Sequence, residues 1–140
     1  MKVSTRGRYA LRLMLDLALN NTGEPVRLKD VAKRQEISEK YLESIVVLLS
    51  RAGLVEGVRG KGGGYRLTRS IDQYSVGEIL RLTEGSLAPV TCLEGAENTC
   101  PRAGQCHTLP MWEKLDSLIN GYLNSVSLAD LLKQTDGSSL

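Results

Sequence analysis

Apolar residues crowd the stretch 8–20 of this chain, at Leu11, Leu13, Met14, Leu15, Leu17 and Ala18, densely enough to predict a well-buried helix that stops at the turn residues NNTGEP. A second helix is expected over 28–35, with Val31 and Ala32 turned inward. Only Glu36, Ile37 and Ser38 separate it from a third, over 39–52, for which Ser38 is a natural N-cap and Gly53 a stop. Two helices joined so tightly have the cadence of a helix-turn-helix. The third divides into two faces. Leu42, Ile45, Val46 and Leu49 fall at i, i+3, i+4 and i+7 and form a stripe for burial, while Lys40, Glu43, Ser44 and Val47 share that spacing on the opposite side.

Beyond Gly53 the period changes. Residues 54–59 and 65–68 suit two short strands, and GKGGG between them is a turn able to take positive backbone angles. The hairpin is expected to form a wing. Ser75-Val-Gly-Glu78 has the pattern of a capping box opening a helix that reaches about residue 84, with Ile79, Leu80 and Leu82 apolar. After a loop at 85–108, the positions Leu109, Trp112, Leu115, Leu118, Ile119 and Tyr122 make an apolar stripe on a helix over 109–123, with no further domain left to cover it. Such a stripe usually marks a partner, here a second copy of the chain. A last short helix is expected over 127–133 and a disordered tail over 134–140. The expected fold is mostly α with a small β wing: a winged helix-turn-helix DNA-binding domain over 1–84, a cysteine-rich loop over 85–108, and a long dimerisation helix with a C-terminal helix over 109–133.

Charge gives the fold a partner. The net charge of +2 conceals 14 basic against 7 acidic residues in 1–70, and 4 against 9 in 71–140. A basic first half on a winged helix-turn-helix points to double-stranded DNA. Lys40 and Ser44 can then reach phosphates or base edges, and Glu43 can accept a hydrogen bond from cytosine N4 while repelling phosphate elsewhere. Arg59, Lys61 and Gly62, at the tip of a stiff hairpin, suit the minor groove or its flanking phosphates. A nucleotide phosphate loop is excluded, since Gly62 follows Lys61 where Ser or Thr should stand, and a dinucleotide GxGxxG fails at Tyr65. A two-fold operator calls for a homodimer.

No apolar run approaches the roughly 18 residues of a membrane span. The opening MKVSTRGRYALRLML lacks a small-residue cleavage site after its apolar part, so a cytoplasmic protein is expected. The stretch CLEGAENTCPRAGQCH holds all 3 cysteines and the lone histidine, His107. In a reducing compartment three clustered cysteines read as ligands or sensors rather than as a structural disulfide. No enzyme is expected. The adjacent Cys106 and His107 are poorly placed as nucleophile and base, and no oxyanion-hole motif accompanies them.

Taken together, VSTRGRYALRLMLDLA, SEKYLES, GLVEGVRGKGGGYRL, SVGEI and a three-cysteine loop before a Trp-bearing helix resemble the IscR-like iron-sulfur cluster regulators, of the Rrf-two type family of bacterial transcription factors. The resemblance runs over about residues 1–133. It implies a dimeric winged-helix regulator, responsive to iron-sulfur cluster status and controlling cluster-biogenesis genes, with a 2Fe-2S cluster in the loop before the dimerisation helix. By matching position it implies DNA contact from Ser38, Lys40, Tyr41, Glu43 and Arg59, and ligation by Cys92, Cys100 and Cys106. The chain departs from the pattern in its longer first gap, seven residues between Cys92 and Cys100 against five between Cys100 and Cys106. It also carries Leu109 where the pattern places its histidine, which leaves the fourth ligand open between His107, a partner residue and a small exchangeable ligand. A tetrahedral structural zinc site would usually show a CxxC pair, and none is present, which favours a cluster over zinc. The alternative within the same fold is a repressor responsive to nitric oxide, or to thiol redox and cysteine metabolism. The nitric-oxide branch uses an acidic residue near position 8, where this chain has Arg8.

Overall fold

The computed structural model describes residues 2–134. From residue 135 onward, the tail expected over 134–140 lies outside the described residues.

Helix α1 spans Thr5–Leu19, three residues longer at its start than the apolar pattern indicated. The reason is a cap: the Ser4 hydroxyl accepts the Gly7 amide at 3.1 Å, and Ser4 is itself held by its amide and hydroxyl on Glu84 Oε1. Leu13, Met14 and Leu17 are buried, while Leu11, Leu15 and Ala18 are half-buried. Helix α2 spans Leu28–Gln35 and ends at Glu36, whose φ of 56° is the left-handed turn that redirects the chain. Ser38 then caps α3, Glu39–Arg51, by accepting the Tyr41 amide at 3.1 Å, and Gly53 follows with φ 76°. Leu42, Ile45, Val46 and Leu49 are all at most 1 % exposed, as the i, i+3, i+4 spacing requires.

Strands β1, Val55–Val58, and β2, Gly64–Leu67, pair antiparallel in the register Val55 with Leu67 and Val58 with Gly64. Val26, in the α1–α2 connection, extends the hairpin through two 2.8 Å backbone hydrogen bonds with Tyr65. The wing is thereby fastened to the segment that leads into the helix-turn-helix. Gly64 is obligatory there, because a Cβ would strike the backbone of Val26.

Helix α4 spans Val76–Glu84. Ser75 caps it through the Glu78 amide at 3.0 Å, but the expected capping box is only half made. The Glu78 carboxylate turns instead to Arg69, which grips both of its oxygens at 2.9 and 3.1 Å. A forked, charge-assisted pair outweighs the return bond to a backbone amide. After the loop come α5, Leu109–Ser125, and α6, Leu128–Gln134.

The main core joins α1, α2, α3, both strands, Tyr74 and Ile79, and α6 adds Leu128, which is fully buried. A smaller cluster of Val76, Leu80 and Leu87 receives Ile119 and Leu123 of α5. This corrects the expectation that nothing in the chain covers the α5 stripe. At 100° per residue Ile119 and Leu123 rotate onto α4, while Met111, Leu115, Leu118 and Tyr122 remain 54, 38, 57 and 66 % exposed.

Candidate functional site

The exposed face of α3 is built by its burial. Because Leu42, Ile45, Val46 and Leu49 all point into the core, Lys40, Glu43, Ser44 and Val47 project outward together. Ser38 is exposed at the cap. Tyr41 is half-buried, its ring meeting Tyr9 edge-on with centroids 5.6 Å apart, and the Arg12 guanidinium lies 5.2 Å from the Tyr9 ring centre. Ser44 donates a 2.7 Å hydrogen bond back to the Tyr41 carbonyl. At the wing, Arg59, Gly60, Lys61 and Gly62 are exposed, with φ of 94° at Gly60 and 79° at Gly62. The Gly63 amide closes the turn on the Gly60 carbonyl at 3.0 Å. Helix face and hairpin tip are thus both rigidly mounted and open to solvent, the tip basic through Arg59 and Lys61 and the helix face mixed, with Lys40 beside Glu43.

Three groups that hold this mounting were not legible in the hydrophobic pattern. Asp16 is 2 % exposed, yet its carboxylate accepts Arg34 Nε at 3.1 Å, Arg34 Nη2 at 2.8 Å and Gln35 Nε2 at 2.9 Å. Arg12 adds its own bonds to the side chain and carbonyl of Gln35. The network fixes the C-terminus of α2 against α1, immediately before the turn that sets α3. The one signal for it was an acidic residue, the only one of α1, amid an apolar run. Tyr74 is fully buried and its hydroxyl binds backbone at both ends of the wing. Arg81 donates to Asn120 at 3.1 Å and to Asn124 at 2.6 Å, clamping α4 to α5. For these two, no local sequence signal existed.

The cysteine loop runs between α4 and α5 with two short helical turns, Thr91–Leu93 and Ala103–Gln105. Cys92 is half-buried on the first, Cys100 is exposed with its amide on Asn98 Oδ1 at 2.9 Å, and His107 is exposed at the foot of α5. All three thiols are free. Cys106 Sγ lies 3.3 Å from the Thr108 hydroxyl. That hydrogen bond, helped by the Thr108 and Leu109 amides and by Arg102, draws the thiol below its ordinary pKa. Among the described residues no three His, Cys, Asp or Glu side chains are gathered closely enough to hold a metal ion. The donor set, three soft thiols and an imidazole in one short loop, has the chemistry an iron-sulfur cluster needs. The described loop does not hold the four groups together.

A helix-turn-helix packed against a fourth helix and followed by a glycine-tipped hairpin defines a winged helix-turn-helix DNA-binding protein. The chain belongs to the Rrf2 family, described as iron-dependent transcriptional regulators, whose model matches residues 3–134. It is 39 % identical over 136 residues to the HTH-type transcriptional regulator IscR of Vibrio atlanticus, covering 97 % of this chain and 78 % of that protein. Among solved structures it is similar to CymR, the global cysteine regulator of B. subtilis, with a TM-score of 0.79, 35 % identity, and coverage of 97 % of this chain and 99 % of that one. It is also similar to T. potens IscR, with a TM-score of 0.77, 38 % identity, and coverage of 100 % and 92 %. The protein is therefore a DNA-binding transcriptional regulator. No described helix is long and apolar enough to cross a membrane.

Proposed function

We propose that this regulator works in the cytoplasm as a homodimer on a two-fold operator, and that a 2Fe-2S cluster held by Cys92, Cys100 and Cys106, with His107 as fourth donor, sets its DNA binding. Controlling iron-sulfur cluster biogenesis genes is the corresponding output. The observation that carries the reading is the placement of the donors: all of them lie in the single loop that runs into α5, the helix with an uncovered apolar seam. The similarity to IscR proteins over most of the chain supports the same reading.

When bound, the cluster supplies a link among the thiolates that is sensitive to iron supply and oxidation. The chain's own residues connect the loop to the DNA face. Cys106 lies three residues before α5, Arg81 clamps α5 to α4, and the chain leaving α5 returns to the start of α4 beside Tyr74, whose hydroxyl holds the base of the wing. There the Val76 amide donates to the Val126 carbonyl at 2.8 Å and the Leu128 amide to the Tyr74 carbonyl at 3.1 Å. On the DNA side, Ser38, Lys40, Tyr41, Glu43 and Ser44 serve the major groove, and Arg59, Lys61 and Gly62 the adjacent backbone or minor groove. Glu43 discriminates by accepting from cytosine N4.

The test is the visible spectrum, with iron and sulfide content, of protein purified without oxygen, beside a His107→Ala variant. Red-brown protein with equal iron and sulfide supports the cluster, and bands shifted or lost in the variant support His107. A second reading, a thiol-responsive regulator of cysteine metabolism, is favoured by the activated Cys106 thiol and the similarity to CymR. Colourless protein that resists reconstitution and whose DNA binding responds to peroxide would select it.

A further inference from the structure

One residue on the outward face of α3 is explained by neither the core nor the charge pattern. Val47 is 43 % exposed and packs in neither apolar cluster. It follows Glu43 by four residues and Ser44 by three, so it stands on their face one turn further along the helix. A β-branched side chain in the open costs helix propensity and hydrates apolar surface with no internal packing in return.

The neighbours define what such a tip can meet. Ser44 has committed its single hydroxyl hydrogen to the Tyr41 carbonyl at 2.7 Å, so toward solvent it offers only lone pairs. Glu43, as a carboxylate, is likewise an acceptor. The face therefore presents two acceptors followed by an apolar tip. In the major groove the amino groups of adenine and cytosine are the donors that match the acceptors, and the thymine methyl is the one apolar group.

We propose that Val47 reads a thymine methyl in the operator and is a specificity-determining residue of this regulator; the assignment rests on the reading of α3 as the major-groove helix. With a rise of about 1.5 Å per residue, Val47 sits roughly 6 Å beyond Glu43, close to two base-pair steps of about 3.4 Å. The thymine accordingly lies within about two steps of the base pair that Glu43 faces.

The test uses the full chain and a duplex that it enriches from a pool of randomised duplexes. Each thymine of that duplex is replaced singly by deoxyuridine, which removes only the methyl. For the unmodified protein, affinity falls about fourfold at one position, the worth of one buried methyl group. Val47→Ala binds the thymine duplex that much more weakly and is indifferent to deoxyuridine at the same position, while its affinity for a scrambled duplex is unchanged. Tolerance of deoxyuridine everywhere, or an equal loss in both proteins, overturns the assignment of Val47 and leaves the DNA-reading helix standing. Failure to enrich any sequence overturns both.

Discussion

The Tyr74 hydroxyl donates a 2.7 Å hydrogen bond to the Leu54 carbonyl, twenty residues away across the base of the wing. The same oxygen accepts the amides of Thr68 at 2.9 Å and Arg69 at 3.0 Å. One fully buried phenol thus ties the chain entering β1 to the chain leaving β2, and the hairpin cannot pivot without breaking it.

Replacing that phenol tests the idea. Tyr74→Phe strands the Leu54 carbonyl in the core and is expected to destabilise the fold by about 1–3 kcal/mol in urea denaturation. Operator affinity should fall further than the lost folded fraction explains, because Arg59 and Lys61 ride on the loosened hairpin. Equal affinity at a temperature where both proteins are fully folded would count against the wing being held this way.

The buried Asp16 predicts a second effect. Asp16→Ala removes the acceptor of Arg34 and Gln35, and about 1–3 kcal/mol of stability should go with it, the smaller end reflecting an Arg34 side chain that is 41 % exposed. Arg34→Ala should cost a similar amount, and the double variant less than the sum of the two. Strict additivity would show that the two side chains do not act as a pair.

The seam on α5 gives a prediction about assembly. Met111, Leu115, Leu118 and Tyr122 recur at intervals of four, three and four residues, the spacing of a helix-to-helix seam. Leu118→Glu places a charge in its middle, and sedimentation should then give a monomer with weakened operator binding. A Leu118→Glu protein that still sediments as a dimer would locate the interface elsewhere.

The start of α6 predicts a response to acid. The Ser127 amide donates to Asp130 Oδ2 at 2.9 Å and the Asp130 amide to the Ser127 hydroxyl at 3.0 Å. The bond from the Ser127 amide, above all, holds the Asp130 carboxyl below its ordinary pKa. A carboxylate depressed in the folded state stabilises above the unfolded carboxylate range, and that contribution is lost as pH falls through the folded pKa. Thermal melts should therefore decline less steeply on acidification in Asp130→Asn than in the parent, the two curves converging at low pH. Parallel curves would mean the cap does not contribute.

Much of the fold was legible because it is local. The α3 stripe, the Ser38 and Ser75 caps and the glycine turn each follow from the chemistry of a few neighbouring residues. Ser4 escaped notice because the apolar periodicity begins after it, and the Glu84 carboxylate that holds it lies 80 residues away. Glu78 was assigned to its own helix start, whereas Arg69, nine residues earlier, offered the stronger partner. The residues of the candidate site were all visible as types, but their mounting was not. Asp16, Tyr74 and Arg81 each reach a partner 18 or more residues distant in the chain, Arg34, Leu54 and Asn120 respectively, where no period reaches.

By itself, the sequence determined the order of the helices and the caps of α3 and α4, which face of α3 is polar, and that three thiols and one imidazole share a loop, since each depends on spacing along one chain. Only the tertiary structure decided which half of the α5 stripe stays in water, how Val26 joins the wing, and which carboxylate grips which guanidinium. Those outcomes depend on which elements are brought face to face, and burial and ion pairing are properties of that juxtaposition, not of any one segment.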